Sequence, residues 1–221
     1  MPAFLKFKNR RSELRYRVLG KSGLKVSVIS LGTYQLSGSW GKEYTQHDVD
    51  GIIDAAQEAG INFLDTAECY GVDNHAERLI GNALEGRRDK WIVATKFGHV
   101  RKEQLKNSDA WETSDIQKQL ETSLRLLKTD HIDLYQFHSG SDEIFDRDEI
   151  WTMLEKEKSK GKILHLGISL NRTKSDKEDY QTLNAAKAGA EVIQVKYNRL
   201  ERDAENRILP AAEKQGLGVI G

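Results

Sequence analysis

Polar side chains end several of the apolar runs in this sequence. They are Asp65, Lys96, His138, Ser169, Gln194 and Tyr197, and Tyr70 follows in the loop after Asp65. A carboxylate, an ammonium group, an imidazole and a phenol are side chains that hold and transfer protons in enzymes. The carboxyl ends of parallel strands meet at one face of a barrel, so we expect these side chains to surround a common site.

Each of these residues, taken alone, has an ordinary structural explanation. Asp65 could cap a helix, Lys96 could be a solvated charge, and Tyr70 could be a packing residue. His138 could lie at the edge of the core, and the serine and glutamine could be a strand cap and a buried hydrogen-bonding group. Their repeated position at the ends of apolar runs favours the shared site.

The elements that would position these residues alternate along the chain. The predicted strands are Val28–Leu31, Ile61–Leu64, Trp91–Thr95, Ile132–Phe137, Ile163–Ile168, Val192–Lys196 and Leu217–Ile220. The predicted helices are Gln46–Glu58, His75–Leu84, Ser114–Leu127, Glu149–Lys160, Asp179–Ala188 and Ala204–Gln215. Strands that alternate with helices indicate repeated βα units around a parallel sheet. The segments Phe97–Thr113 and Asn171–Asp179 are predicted as long polar loops.

Two further patterns lie at the ends of the chain. Tyr16–Leu19 and Leu24–Val28 flank a Gly20–Gly23 turn, which predicts a hairpin that could close one end of a barrel. Gly216–Gly221 has the spacing of a dinucleotide-binding glycine loop, but it follows a helix where that motif requires a strand. We therefore interpret it as a helix end followed by a strand.

Several segments together resemble the aldo-keto reductase family, from about Arg15 to Gly221. They are Asp65–Gly71 (DTAECYG) with Glu77 and Gly81, the first strand and hairpin from Arg17 to Thr33, Ala94–Phe97, and Asp133–His138. The branch resembled includes bacterial reductases and potassium-channel β subunits. The resemblance implies a TIM-type (β/α)8 barrel, here incomplete with about seven strands and an N-terminal β-hairpin, and a single domain over residues 1–221.

The resemblance also implies a catalytic tetrad of Asp65, Tyr70, Lys96 and His138. Hydride transfer to a carbonyl carbon builds negative charge on its oxygen, and Tyr70 would supply the proton. Lys96 would favour the phenolate, Asp65 would hold Lys96, and His138 would hydrogen-bond and orient the carbonyl. The implied activity is NADP(H)-dependent reduction of aldehydes or ketones to alcohols.

The implied cofactor, NADP(H), has its own set of residues. They are Gly32, Thr33, Asp65, Ser169, Gln194 and Tyr197. Gln194 matches the family glutamine that binds the nicotinamide carboxamide, and Ser169 matches a serine with the same role. Leu170 stands where many members have asparagine, which puts a carboxamide contact by Asn171 in doubt. The preference for NADPH over NADH is implied by the resemblance alone.

Composition narrows the classes of partner. The chain carries 34 basic and 34 acidic side chains, so it has no net field to attract nucleic acid. No apolar run approaches the roughly 20 residues that span a bilayer, and the single cysteine, Cys69, fits a reducing compartment. We expect a cytoplasmic protein with a small carbonyl substrate, no nucleic acid, no membrane insertion and no metal. Tyr34 and Trp40 could line the substrate pocket or serve as packing aromatics.

The chain is shorter than a complete barrel of this type, which affects the activity that we expect. A complete eight-unit barrel takes about 250 residues, and this chain has 221. The family holds the cofactor's pyrophosphate and adenosine largely on loops after the seventh and eighth strands, so we expect weak nucleotide binding. The first and seventh strands would be open edges that could pair with another chain. Two alternatives stay open: a nucleotide-binding regulatory protein that resembles channel β subunits, and an inactive fragment.

Overall fold

The computed structural model describes residues 14–103, 106–170 and 178–221. The strands are β1 (Tyr16–Val18), β2 (Lys25–Ser27), β3 (Leu31–Gly32), β4 (Phe63–Asp65), β5 (Ile92–Phe97), β6 (His99–Glu103), β7 (Lys106–Asp109), β8 (Ile132–His138), β9 (Ile163–Ser169), β10 (Val192–Gln194) and β11 (Gly218–Ile220). The helices are α1 (Gln46–Glu58), α2 (His75–Ala83), α3 (Thr113–Leu126), α4 (Asp142–Phe145), α5 (Asp148–Ser159), α6 (Glu178–Leu183) and α7 (Ile208–Lys214). Asn171, whose cofactor contact was in doubt, lies outside the described residues.

Seven strands form one parallel sheet that curls into most of a barrel. Their spatial order is β11, β10, β9, β8, β5, β4, β3. Every neighbouring pair is parallel. The predicted fold, an incomplete α/β barrel with helices outside, is therefore confirmed. In the part of the chain that the structure describes, β3 and β11 are the two edges of this sheet, as the sequence predicted.

The N-terminal hairpin packs against the barrel interior. Strands β1 and β2 pair antiparallel, and Leu19 and Val26 join a buried cluster with residues of β4, β5, β8, β10 and β11. The turn also meets the segment before β11, where the Lys21 N–H donates to the Gly216 carbonyl at 2.7 Å. A Cβ on Gly20 would lie 2.0 Å from the Gly218 nitrogen, so this contact needs glycine at Gly20. Gly216 thus follows the end of α7, and Gly218 begins β11. This confirms the interpretation from sequence of a helix end followed by a strand.

The first predicted strand was wrong in its bounds. Val28 and Ile29 are exposed, and only Leu31 and Gly32 pair in the sheet. The reason is that the Val28 N–H donates to the Arg15 carbonyl at 2.9 Å, so the chain still follows the hairpin at this point.

Helix prediction was accurate where capping signals are strong. Helix α1 has the predicted bounds, and Thr45 and Asp48 form a reciprocal capping box at its start. Helix α7 begins later than predicted, at Ile208, because Pro210 has no N–H and is tolerated only in a first helical turn. Helix α6 ends at Leu183, earlier than the predicted Ala188.

The predicted polar loop Phe97–Thr113 contains a hairpin instead. Strands β6 and β7 pair antiparallel within it. The exposed, polar composition of β7 gave no alternation from which a strand could be predicted. None of the helices that the structure describes is long and apolar enough to cross a membrane.

Two helical glycines give a matched test of packing. A Cβ on Gly81 in α2 would lie 1.9 Å from the Leu126 carbonyl oxygen, whereas one on Gly51 in α1 would meet no atom within 4 Å. We expect Gly81→Ala to lower the free energy of unfolding by about 1–3 kcal/mol through overpacking. Gly51→Ala should raise it by up to about 1 kcal/mol through helix propensity. Urea unfolding of both variants measures this, and equal effects would contradict the packing argument.

Candidate active site

A buried lysine connects the residues at the carboxyl ends of β4 and β5. The Lys96 ammonium group donates to Asp65 Oδ1 at 2.7 Å and to the Thr66 carbonyl at 2.7 Å. Its third contact is Tyr70 Oη, at 3.4 Å. The ring of His138 lies next to that of Tyr70, with centroids 6.3 Å apart. The structure thus brings together the four residues that the sequence predicted as a tetrad.

Strand register and loop contacts hold this arrangement. Asp65 pairs with Gly32 on one side and Ala94 on the other, so it ends its strand in the middle of the face. Thr33 fixes the Asp65 backbone, because its N–H and its hydroxyl both donate to the Asp65 carbonyl, at 3.0 and 2.9 Å. The Tyr70 N–H donates to the Ala67 carbonyl at 3.1 Å, which closes the loop after β4.

Burial and charge act in opposite directions on the lysine and the phenol. Burial tends to lower the pKa of Lys96, but Asp65 and Tyr70 outweigh it and raise the pKa, so the side chain stays an ammonium ion. Burial raises the pKa of Tyr70 to about 12, and Lys96 only partly opposes this. The sequence-based expectation that Lys96 would favour the phenolate gave the correct direction for Lys96 but omitted the larger effect of burial. At neutral pH the phenol keeps its proton.

Glu68 and His99 also reach His138, and sequence analysis did not single them out. The Glu68 side chain is buried, and its Oε2 lies 3.5 Å from His138 Nδ1. The His99 N–H donates to Glu68 Oε1 at 2.9 Å, and His99 Nε2 donates to the His138 carbonyl at 2.7 Å. A charged residue inside the Asp65–Gly71 motif was a signal for Glu68, but His99 belongs to the hairpin that was predicted as a loop.

Amide side chains complete the floor of the site. Gln194 Nε2 donates to Asp65 Oδ2 at 3.2 Å, and Gln136 Nε2 donates to Gln194 Oε1 at 3.3 Å. Ser169 is placed between them and His138 by register, since it pairs with His138 on β8 and with Gln194 on β10. Gln136 was not predicted, although it precedes His138 by two residues and therefore shares its face of β8.

These groups can accommodate a carboxamide. Gln194 Nε2 has two hydrogens and its Oε1 two lone pairs, so one of each remains for a ligand amide after the contacts to Asp65 and Gln136. Gln136 Oε1 is buried and receives no hydrogen bond from the described residues. A Cβ on Gly32 would meet no atom within 4 Å, so there is open space beside the end of β3. The residues present therefore fit a nicotinamide group.

Tyr197 does not join this cluster through the contacts that the structure gives. Its side chain is exposed, and its phenol donates to Glu205 in the loop that follows β10. Its predicted cofactor contact stays a prediction.

Aromatic rings extend the site outward from Tyr70. The ring centroid of Tyr34 lies 5.1 Å from that of Tyr70 and 5.5 Å from that of Trp40. Trp40 is 70% exposed, so it adds apolar surface that solvent can reach. The residues that sequence analysis offered as pocket or packing aromatics therefore form one edge-to-face group beside the phenol.

Three potential metal-binding atoms also approach each other here. Side-chain donor atoms of Glu68, Cys69 and His138 lie within 4.8 Å of one another. Burial and the neighbouring Glu68 carboxylate raise the pKa of the Cys69 thiol far above its ordinary value, so the thiol keeps its proton. We assign no metal to this group, and the predicted absence of a metal stays a prediction.

Known proteins resemble this chain over most of its length. Residues 28–221 match the Aldo/keto reductase family. The chain is 36% identical over 222 residues to the uncharacterized oxidoreductase YrpG of Bacillus subtilis, covering 94% of this chain and 65% of the relative. It is 32% identical over 206 residues to the aldo-keto reductase YhdN of the same organism, covering 90% of this chain and 59% of the relative. The chain therefore spans less than two thirds of these relatives' lengths.

Solved structures show the same similarity. The holo form of an aldo-keto reductase from Bacillus halodurans superposes with a TM-score of 0.78 at 33% identity, over 93% of this chain and 65% of that chain. A glycerol dehydrogenase from Gluconobacter oxydans superposes with a TM-score of 0.73 at 33% identity, over 95% and 62%. This chain belongs to the aldo-keto reductase family.

Proposed function

We propose that this protein is an NADP(H)-dependent oxidoreductase that reduces aldehyde or ketone carbonyls to alcohols, with Tyr70 as the general acid. One observation carries the proposal: the buried Lys96 ammonium group contacts both Asp65 Oδ1, at 2.7 Å, and Tyr70 Oη, at 3.4 Å. A buried lysine beside a protonated phenol at the open face of a barrel is an arrangement suited to proton donation.

The bound nicotinamide would supply a hydride to the carbonyl carbon. The electron pair of the C=O π bond then moves to the oxygen, which takes the proton of Tyr70 as the phenol O–H bond breaks. The phenolate that remains faces Lys96, whose positive charge stabilises it. Asp65 keeps the ammonium group in place, and Tyr70 regains its proton from solvent after the alcohol leaves.

His138 would orient the carbonyl through a hydrogen bond from its ring when the nitrogen that faces the carbonyl carries a proton. Gln194 and Ser169 would hold the nicotinamide carboxamide, and Gly32 and Thr33 would border it at the end of β3. Tyr197 is kept as a cofactor contact in the proposal, on the resemblance alone. The family membership and the open space above Gly32 support this placement.

A titration of the chain with NADPH, followed by fluorescence, tests the proposal. An aromatic aldehyde is then added and the loss of reduced-nicotinamide absorbance is recorded, with NADH in parallel to decide the nucleotide. Saturable binding with turnover would support the reductase. Binding without turnover would favour the regulatory alternative, and no binding by a folded chain would contradict nucleotide-dependent function.

A further inference from the structure

A buried carboxylate lies beside the histidine of the proposed site and has no part in the chemistry described above. Glu68 is 2% exposed. One oxygen, Oε1, accepts the His99 N–H at 2.9 Å. The other, Oε2, receives no hydrogen bond from the described residues and lies 3.5 Å from His138 Nδ1. A buried charged oxygen without a hydrogen bond is costly, so this contact needs an explanation.

Several ionisable groups face the His138 ring. They are Glu68, Cys69 and Tyr70 from the loop after β4, Lys96 from β5, and His99 from β6. The Cys69 Sγ lies 3.8 Å from the same Nδ1, but its pKa is raised by burial and the thiol stays neutral. Tyr70 is a neutral phenol at neutral pH. Glu68 is therefore the anion in contact with Nδ1 among the described residues.

At neutral pH, Glu68 is charged and His138 is not. Burial tends to raise the pKa of Glu68, but His138 and the His99 N–H outweigh it and hold the pKa below its ordinary value. Burial lowers the pKa of His138, with Lys96 and His99 acting the same way and Glu68 opposing them. At neutral pH the pair is consequently a carboxylate and a neutral imidazole.

A neutral imidazole has a hydrogen on one of its two nitrogens, and the neighbouring anion decides which nitrogen holds it. A carboxylate only accepts, so a bare Nδ1 would place its lone pair against the negative charge of Glu68 Oε2, whereas an Nδ1–H would place a positively polarised hydrogen there. The neutral Cys69 thiol also lies beside Nδ1, but it is only a weak donor and a weak acceptor, so we expect the carboxylate to decide and the proton to lie on Nδ1. Nε2, on the other side of the ring, is then the nitrogen that gains and loses a proton.

We propose that Glu68 is a positioning residue for His138, whose carboxylate keeps a proton on Nδ1 and leaves Nε2 to titrate against the substrate oxygen. This inference rests on the proposed function for its catalytic consequence. With a proton, Nε2 donates to a carbonyl oxygen and favours reduction. Without it, Nε2 accepts from an alcohol hydroxyl and favours oxidation, so one histidine serves both directions at different pH.

Nuclear magnetic resonance of the ring nitrogens tests the ring itself, without nucleotide or substrate. Long-range proton–nitrogen spectra of the EDTA-treated chain are recorded across a pH series, with the His138 signals assigned through His138→Gln. We expect Nδ1 to stay protonated while Nε2 titrates. In Glu68→Gln, the pKa of His138 should fall by about one unit or more because an adjacent anion is lost. The neutral ring should also become a mixture of both tautomers.

Glu77→Gln is the matched control. Glu77 is also fully buried, but its oxygens accept from Thr95 Oγ1 at 2.7 Å and from Asn74 Nδ2 at 2.9 Å. Burial raises its pKa and so disfavours its charged form, and Glu77 is not in the set of groups that face the His138 ring. We expect no change in the His138 titration. A neutral ring protonated on Nε2 in the unsubstituted chain would overturn the proposal, and that result does not depend on the folding of a Glu68 variant.

Steady-state kinetics test the consequence. In the reductive direction, kcat/KM should fall as pH rises through the pKa of His138, and Glu68→Gln should move this decline to lower pH by the same amount as the shift in the spectra. Glu68→Asp, which restores a carboxylate, should move it part of the way back. A loss that is equal at every pH would indicate a merely structural Glu68 and overturn the proposal.

The two hypotheses can fail separately. If the spectra show the expected shift but the chain turns over no carbonyl substrate, the role of Glu68 at the ring is supported and the reductase proposal is contradicted. If turnover depends on Tyr70 but the titration of His138 is the same in Glu68→Gln, the reductase proposal is supported and the role of Glu68 is overturned.

Discussion

Replacement of Tyr70 with phenylalanine is expected to lower kcat for carbonyl reduction by about 100- to 10,000-fold. The variant keeps the ring and its edge-to-face contact with Tyr34 but has no proton to give to the developing alkoxide. Its stability should change little, because the lost hydrogen bond to Lys96 is long, at 3.4 Å. Single-turnover oxidation of bound NADPH, with thermal unfolding of the same sample, measures both effects.

Tyr135→Phe is the matched control for this experiment. Tyr135 is fully buried on β8, and its hydroxyl neither donates nor accepts a hydrogen bond within the described part of the chain. Removal of an unsatisfied buried hydroxyl should be neutral or slightly stabilising and should leave turnover unchanged. A Tyr70→Phe variant with unchanged kcat would exclude Tyr70 as the proton donor and would transfer that role to another group.

Substitution of Lys96 with methionine should affect both stability and turnover. The methionine fills the space of the lysine stem but leaves the Asp65 carboxylate without its cation in a buried position. Breaking a buried ion pair by removing one partner typically costs about 3–5 kcal/mol. We also expect kcat to fall by about 100-fold or more, because the phenolate formed at Tyr70 loses the charge that stabilises it. Urea unfolding and turnover measurements test the two effects.

The double variant Lys96→Met/Asp65→Asn separates charge from packing. It removes both charges, so its loss in free energy of unfolding should be smaller than the sum of the losses in the two single variants. We expect the difference, the coupling energy, to be about 0.5–3 kcal/mol. Turnover should be low in Lys96→Met, in Asp65→Asn and in the double variant. If Lys96→Met unfolds at the same urea concentration as the unsubstituted chain, the ion pair to Asp65 does not stabilise the fold and the electrostatic argument is wrong.

The sequence by itself determined the order of the strands and helices of the barrel and the polar residues that lie at the carboxyl ends of several strands. Alternating apolar runs and helical segments predicted a parallel α/β barrel, because each strand of such a sheet is buried on both faces. Asp65, Lys96 and His138 could be placed at one face of the barrel because they lie at the carboxyl ends of neighbouring parallel strands. Tyr70 was identified through the motif around it and the family resemblance that the motif carries.

Local signals also had definite limits. The bounds of α1 were predictable because Thr45 and Asp48 form a capping box within four residues of sequence. The hairpin formed by β6 and β7 was not predictable, because polar strands that face solvent have no apolar alternation. Consequently His99 and its contacts were missed.

Only the tertiary structure decided the electrostatics of the site. Burial depends on residues that are distant in sequence, so the rise in the Tyr70 pKa could not be inferred from the presence of Lys96 alone. The contact between Glu68 and His138 joins a loop to a strand much later in the chain, and neither a motif nor residue spacing predicts it. It exists because β4, β5 and β8 are neighbours in the sheet. Sequence specified which groups are present, and the packing of distant segments specified their protonation.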